Sequence, residues 1–188
     1  MGELTRFYAG IGSRTTPTEI LDLMTRVATR LNGLGYTLRS GGADGADTAF
    51  ASGAGDRLQE FLPWRGFNGN TSSLHTVGGD ALELASRVHP AFSRLGRPAR
   101  LLMARNCYQV LGATLDDPVD FVLCWTPDGA ETEAERTKAT GGTGQAIALA
   151  SRHAIPVFNL QRPGRLDLLA QLLQQRQPVN PDPTTSRT

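Results

Sequence analysis

The sequence predicts an α/β fold built on an open, mostly parallel sheet with helices on both faces, and three observations carry that expectation. Short apolar runs alternate with stretches whose apolar residues recur every three or four positions, the pattern of strands feeding amphipathic helices. Glycine-rich turns stand at the junctions, in Gly10-Ile-Gly-Ser-Arg14, Ser40-Gly-Gly-Ala-Asp-Gly45 and Thr140-Gly-Gly-Thr-Gly-Gln145. The run Asp120-Phe-Val-Leu-Cys-Trp125 is apolar almost throughout, as a central parallel strand covered on both faces must be.

The elements follow in order. Arg6 to Gly12 reads as a strand running into glycines, and Pro17 suits the first turn of the helix that follows. Ile20, Met24, Val27, Leu31 and Leu34 make one apolar face of that helix, which Gly33 and Gly35 end. Tyr36 to Leu38 enters the central glycine loop as a second strand, with Ala46 to Ala51 as the first helical turns beyond it. Leu58 to Trp64 reads as a third strand stopping at Pro63, and Phe67 to Leu74 as a surface loop, either a cover for a pocket or a plain connection. Helices are expected over Gly79–Val88 and from about Arg100 to Ala113. Polar residues 126–140 suggest a flexible lid, or an excursion with a helical piece around Glu131 to Lys138. A helix from Gln145 to His153, a strand from Pro156 to Leu160 and a helix from about Leu166 to Gln175 complete one domain over residues 1–176. Proline and polar residues predict a disordered tail over 177–188.

At 188 residues and 39% hydrophobic content the chain is long enough for a substantial core. A net charge of +1 without a basic run gives poor tracking of a phosphate backbone, so nucleic acid is the less favoured partner. Cys107 and Cys124 are the only cysteines and form no CxxC pair, which argues against a disulfide framework or a metal site; both suit a core. No apolar run is long enough to span a membrane and no signal peptide is apparent, so a cytoplasmic protein is expected.

The candidate ligand residues cluster at the glycine turns. Gly41, Gly42 and Gly45 allow main-chain N–H groups to approach an anion without Cβ obstruction, and a helix start adds positive partial charge. Gly10, Gly12, Ser13 and Arg14 form a second loop of this kind, and Gly141, Gly142, Thr143, Gly144 and Gln145 a third. Ser13 and Ser40 read as hydrogen-bond donors to an anion, with Ala43 lending main-chain atoms. Asp44 and Asp47 are candidate hydroxyl or ribose ligands, although aspartate in a first helical turn is stabilising without one. Trp64 and Trp125 are candidates for stacking on a base, with half-buried packing the alternative. Arg87, Arg94, Arg97, Arg100 and Arg105 form a local concentration of which one or two are expected at a ligand. His75, His89 and His153 share no spacing for a metal or a triad, and no catalytic residue stands out.

Taken in order, Tyr8-Ala-Gly-Ile-Gly-Ser-Arg14, Ser40-Gly-Gly-Ala-Asp-Gly-Ala-Asp47, Met103-Ala-Arg-Asn106 and Gly141-Gly-Thr-Gly144 resemble the Rossmann-like SLOG superfamily, which joins the DNA-processing protein DprA to the cytokinin-activating LOG phosphoribohydrolases. The resemblance covers about residues 6 to 160 and is greatest to small bacteriophage and bacterial members described as nucleotide-binding. It implies a Rossmann-like fold, a homodimer, and a site that includes Arg105 and Asn106, similar to the Arg-Asn pair of the DprA branch. It also marks a departure: the glutamate with which LOG enzymes cleave an N-glycosidic bond falls at Ala148. Glu60, Asp44, Asp47 and Glu131 are the carboxylates considered as replacements. The leading expectation is a binding or sensing protein for a nucleotide or ADP-ribose-like phosphate-containing small molecule. The alternatives are an N-glycosidic hydrolase of nucleoside phosphates or NAD-derived molecules, and a single-stranded DNA-binding protein of DprA type.

Overall fold

In the computed structural model, which describes residues 5–176, five strands and six α-helices follow one another along the chain, alternating except where α3 leads directly to α4. They are β1 (Arg6–Gly12), α1 (Thr18–Gly33), β2 (Tyr36–Ser40), α2 (Ala46–Ala54), β3 (Leu58–Glu60), α3 (Gly79–Val88), α4 (Arg97–Leu111), β4 (Phe121–Trp125), α5 (Thr143–Arg152), β5 (Val157–Asn159) and α6 (Arg165–Gln175). The strands form one all-parallel sheet in the order β3-β2-β1-β4-β5. The α/β, Rossmann-like architecture expected from the sequence is therefore present. The tail expected over 177–188 lies outside the described residues, as do residues 1–4.

Strand periodicity sorts the core into two layers. In β4, Phe121, Leu123 and Trp125 point to one face and Val122 and Cys124 to the other, and all five are buried. The first face packs with Tyr8, Leu38 and Phe158 against α1, α2 and α6, where Phe121 stacks on Tyr8 at 5.6 Å. The second packs with Ala9 and Ile11 against α3, α4 and α5, whose Ala81, Ala85, Ala104, Ala146 and Ala150 let the helices lie close. Both free cysteines, Cys107 and Cys124, sit in this second layer.

Several boundaries differ from the sequence expectation. The third strand ends at Glu60 rather than running to Trp64, because the chain turns inward: the Phe61 N–H donates to the Ser40 carbonyl at 2.9 Å and the Leu62 N–H to the Leu74 carbonyl at 2.7 Å. Phe61 and Leu62 are consequently buried, the Phe61 ring stacked on Tyr108 at 5.7 Å. Helix α4 starts at Arg97, with a proline in its first turn, and stops at Leu111, where Gly112 takes φ +76°. The 126–140 segment holds two 3-10 helices, Glu133–Glu135 and Lys138–Thr140, so the short helical piece expected around 131–138 is present only as single 3-10 turns. Its polar side chains explain this, since they bond to one another and to the main chain of the segment.

Candidate functional site

The strand order reverses between β1 and β4. Open α/β sheets leave a crevice beyond the carboxyl ends of the strands at such a reversal, because the connections depart to opposite faces. Here the two ends stay in contact, the Ser13 N–H donating to the Trp125 carbonyl at 3.2 Å. A cleft of about 360 Å³ opens beyond them, lined by Gly12, Ser13 and Arg14 after β1, Ala43 and Asp47 at the start of α2, Arg105 and Asn106 of α4, and Thr140 to Thr143 at the start of α5.

At its floor lies a buried ion pair. Arg105 Nη1 stands 3.1 Å from Asp47 Oδ2, with the two side chains 6% and 2% exposed. Gly41 is what admits this pair, since a Cβ at that position would fall 0.9 Å from Arg105 Nη1. Asp47 Oδ2 also accepts from the Ala43 N–H at 3.3 Å, and the Gly41 N–H lies toward the same carboxylate. Burial pushes the Asp47 carboxyl above its ordinary range, against the pull of Arg105 and of these two N–H groups. Burial likewise pushes the Arg105 guanidinium down, Asp47 holds it up, and the charge of Arg14 pushes it down again. Two atoms of the pair, Asp47 Oδ1 and Arg105 Nε, have no hydrogen-bond partner. Arg14, by contrast, is exposed at the cleft rim.

The α5 wall is pinned from α4: Asn106 Nδ2 donates to the Gly142 carbonyl at 3.0 Å. The first turn of α5 therefore faces the cleft with the positive end of a ten-residue helix. Gly12 brings the opposite wall close, since a Cβ there would approach Ala46 Cβ to 2.6 Å.

The structure gathers some of the sequence candidates and disperses others. Gly12, Ser13, Arg14, Ala43, Arg105, Asn106, Gly141, Gly142 and Thr143 line the cleft, and Gly41 shapes its floor. Gly10 is a packing residue, because a Cβ would meet Leu38 and Phe50 at 2.7 Å. Ser40 is fully buried with its hydroxyl directed at the Gly10 and Asp47 carbonyls, at 3.2 and 3.4 Å, so it is no donor to a ligand in the cleft. Gly42, at φ +66°, shapes the loop, with its carbonyl accepting from Asn68 Nδ2 at 3.1 Å. Asp44 is exposed outside the cleft, whereas Asp47 lines it. Gly45, at φ +86°, caps α2 against the Ser13 and Arg14 backbone.

Neither tryptophan is placed to stack on a ligand there. Trp125 is buried, donating from Nε1 to Gln161 Oε1 at 2.9 Å, and Trp64 lies edge-on to Phe67 at 5.1 Å, away from the cleft. Gly144 and Gln145 belong to the neighbouring hollow beyond the α5 start. Of the five clustered arginines only Arg105 lines the cleft. Ala148 is enclosed in the core layer of α5. Of the carboxylates considered as replacements, Glu60 accepts from Asn70 and Glu131 from Arg162, Arg165 and the Asn159 N–H, so Asp47 alone lines the cleft. Sequence reasoning missed Thr140, Leu102 and Met103 as lining residues. The helical spacing of Leu102 and Met103 beside Arg105 and Asn106 was the available signal.

No family model matches the chain, and no curated protein sequence matches it. Among solved structures, DNA processing protein A from Helicobacter pylori, characterised for its single-stranded DNA binding, superposes with a TM-score of 0.53 at 18% identity, covering 89% of this chain and 73% of that one. The likeness shows a shared fold. Among the described residues no helix is long and apolar enough to cross a membrane, and no group of three His, Cys, Asp or Glu side chains converges on a point where a metal ion could sit.

Proposed function

We propose that the chain binds a nucleotide or a closely related phosphate-bearing small molecule in the cleft at the β1/β4 reversal. The observation that carries this reading is the pairing, in one mononucleotide-sized cleft, of positive groups with a buried acceptor that has no partner. A phosphate is suited to the α5 start and Arg14, where helix N–H groups and a guanidinium both favour an anion. A sugar hydroxyl is suited to Asp47 Oδ1, which needs a donor that the protein does not supply. Binding, rather than hydrolysis, is the function these residues support. Cleaving an N-glycosidic bond needs a carboxylate free to activate water, and the one carboxylate in the cleft is held by Arg105.

Single-stranded DNA is the second reading, favoured by the fold shared with a protein that binds it. Calorimetric titration of the four ribonucleoside 5′-monophosphates and of single-stranded oligonucleotides, at two salt concentrations, separates the two. A pocket ligand with few ionic contacts is expected to bind as a monomer unit and to lose little affinity with salt. Affinity that rises with strand length and falls steeply with salt favours the nucleic-acid reading instead. Release of free base on prolonged incubation, resolved by chromatography, would overturn the assignment as a binding protein.

A further inference from the structure

One wall of the cleft is apolar, and the phosphate and sugar contacts leave it unused. Leu102, Met103, Arg105 and Asn106 all line the cleft from α4, and spacings of three and four residues put them on one helix face. Arg105 and Asn106 are buried and belong to the polar floor. Leu102 and Met103 lie one helical turn nearer the start of α4, about 5 Å along its axis, and both are only half-buried. Among the described residues Leu102 joins neither core layer, so the packing of the fold does not account for it. Met103 touches the second layer, and its methyl group lies against the start of α5, where a Cβ on Gly142 would come within 3.3 Å of Met103 Cε. The two side chains form an apolar shelf that reaches toward the helix start where an anion is favoured. Nothing else in the cleft serves a flat apolar group: no aromatic ring lines it, and Ile11, its remaining large apolar residue, is committed to the core.

We infer that Leu102 and Met103 are the base subsite of the cleft: one face of a nucleobase lies on them, with its sugar at Asp47 and its phosphate at Arg14 and the start of α5. The inference rests on the nucleotide reading of the cleft and deepens it, because it makes the base, and not the sugar phosphate alone, a condition of tight binding. The physical ground is area. A ring laid on two aliphatic side chains takes apolar surface of both partners out of water, and the gain is proportional to the area removed. Both side chains are half-exposed in the free protein, so that area is there to be covered. A sugar phosphate without a base leaves the shelf wet and gains nothing from it.

The test titrates the full chain with the four nucleoside 5′-monophosphates and with ribose 5-phosphate, then repeats the titrations with Leu102→Asn and Leu102→Met. Leu102 has no core partner, so neither change removes core packing, and ribose 5-phosphate binding reports on the fold in the same experiment. The expected result is that at least one nucleotide binds the wild type about tenfold or more tightly than ribose 5-phosphate does. Leu102→Asn should cut that advantage to about threefold or less, with ribose 5-phosphate affinity within about twofold of wild type. Leu102→Met, apolar and of similar volume, should keep the advantage. Equal affinity of the wild type for nucleotides and for ribose 5-phosphate overturns the base subsite alone. An advantage that survives Leu102→Asn does the same, since the base then lies elsewhere. So does a parallel loss of both kinds of probe in Leu102→Asn, since Leu102 then supports the cleft as a whole. Absence of binding by every probe overturns the nucleotide reading and this inference together.

Discussion

Two carboxylate networks flank the carboxyl ends of the strands, and they differ in completeness. In the 126–140 segment Asp128 accepts from the hydroxyls of Thr126, Thr137 and Thr140 and from the Ala130 N–H. Beside it Glu131 accepts from Arg162, Arg165 and the Asn159 N–H. Every acceptor there is met from within the chain. At the cleft floor Asp47 and Arg105 meet through one hydrogen bond while Asp47 Oδ1 and Arg105 Nε go without. Buried polar groups are nearly always satisfied, so the saturated network reads as scaffold and the unsaturated one as a place prepared for something else.

The largest expected effect tests the unsaturated side. Asp47→Asn leaves a buried guanidinium without its counter-charge and should cost about 3–5 kcal/mol in denaturant unfolding, while removing nucleotide binding. Adding Arg105→Gln should restore part of the stability, because the stranded charge is gone, and should not restore binding. A cost below about 1 kcal/mol for Asp47→Asn would mean that the pair is not held as an ion pair. On the saturated side, Glu131→Gln weakens charge-assisted bonds to partly exposed arginines and should cost about 1–3 kcal/mol. It should leave nucleotide affinity unchanged. Equal loss of binding from both substitutions would erase the distinction between scaffold and site.

Acid should reveal the same contrast. Burial pushes the Asp128 carboxyl up, but the hydroxyls of Thr137, Thr140 and Thr126 outweigh it and hold the group well below the usual carboxylate range. Glu135, bonded by Arg162 and by the Glu131 N–H, is held down to about 2. A carboxylate depressed by folding stabilises the native state fully above its unfolded value, about 4, and loses that contribution as pH falls toward the folded value. Asp47, pushed up by burial, has the opposite sign: its share is present at low pH and lost as pH rises. Unfolding midpoints of the wild type should therefore drop more steeply below about pH 4 than those of Asp128→Asn. Parallel profiles would show that the threonine hydroxyls do not bind the carboxylate.

Much of this was legible in the sequence. Helical and strand patterns placed the five strands and the six α-helices, and the glycine turns placed the ends of β1 and β2, because φ and close-approach requirements act locally and leave a mark in residue type. What stayed hidden depends on tertiary contact. Gly10 and Gly41 read alike as ligand glycines, yet one is shaped by Leu38 and Phe50 and the other by a guanidinium 64 residues further on. Of Asp44 and Asp47 the sequence favours the first, whereas the one that pairs with α4 and lines the cleft is Asp47. Ser40 and Trp125 have the chemistry of ligand contacts, but their partners lie within the core. The shortened third strand follows from the pairing of Leu62 with Leu74, which no local pattern in either segment announces.

Arg14 should show the next effect in size. It is exposed at the cleft rim, so Arg14→Ala should leave the unfolding midpoint nearly unchanged and weaken binding of nucleoside monophosphates about tenfold, the loss of one charge-assisted contact. An unchanged dissociation constant would remove Arg14 from the phosphate subsite and leave the α5 start as its principal support.

The smallest expected effect belongs to Trp64. Its ring is 37% exposed and packs edge-on against Phe67, on the loop whose Asn68 bonds the Gly42 carbonyl, so it touches the central glycine loop only through neighbours. An exposed tryptophan four residues beyond the end of β3 is nonetheless a side chain on which a nucleobase would readily stack, at about 1–3 kcal/mol per base. The two placements of a ligand therefore differ sharply in what Trp64→Ala should do. If the ligand stays within the first cleft, away from the 67–74 loop, nucleotide affinity should change by less than about twofold, and oligonucleotides should behave the same way. A loss of fivefold or more, greater for oligonucleotides than for mononucleotides, would carry the binding path across Gly42 to the β3 edge and make the loop a continuation of the site.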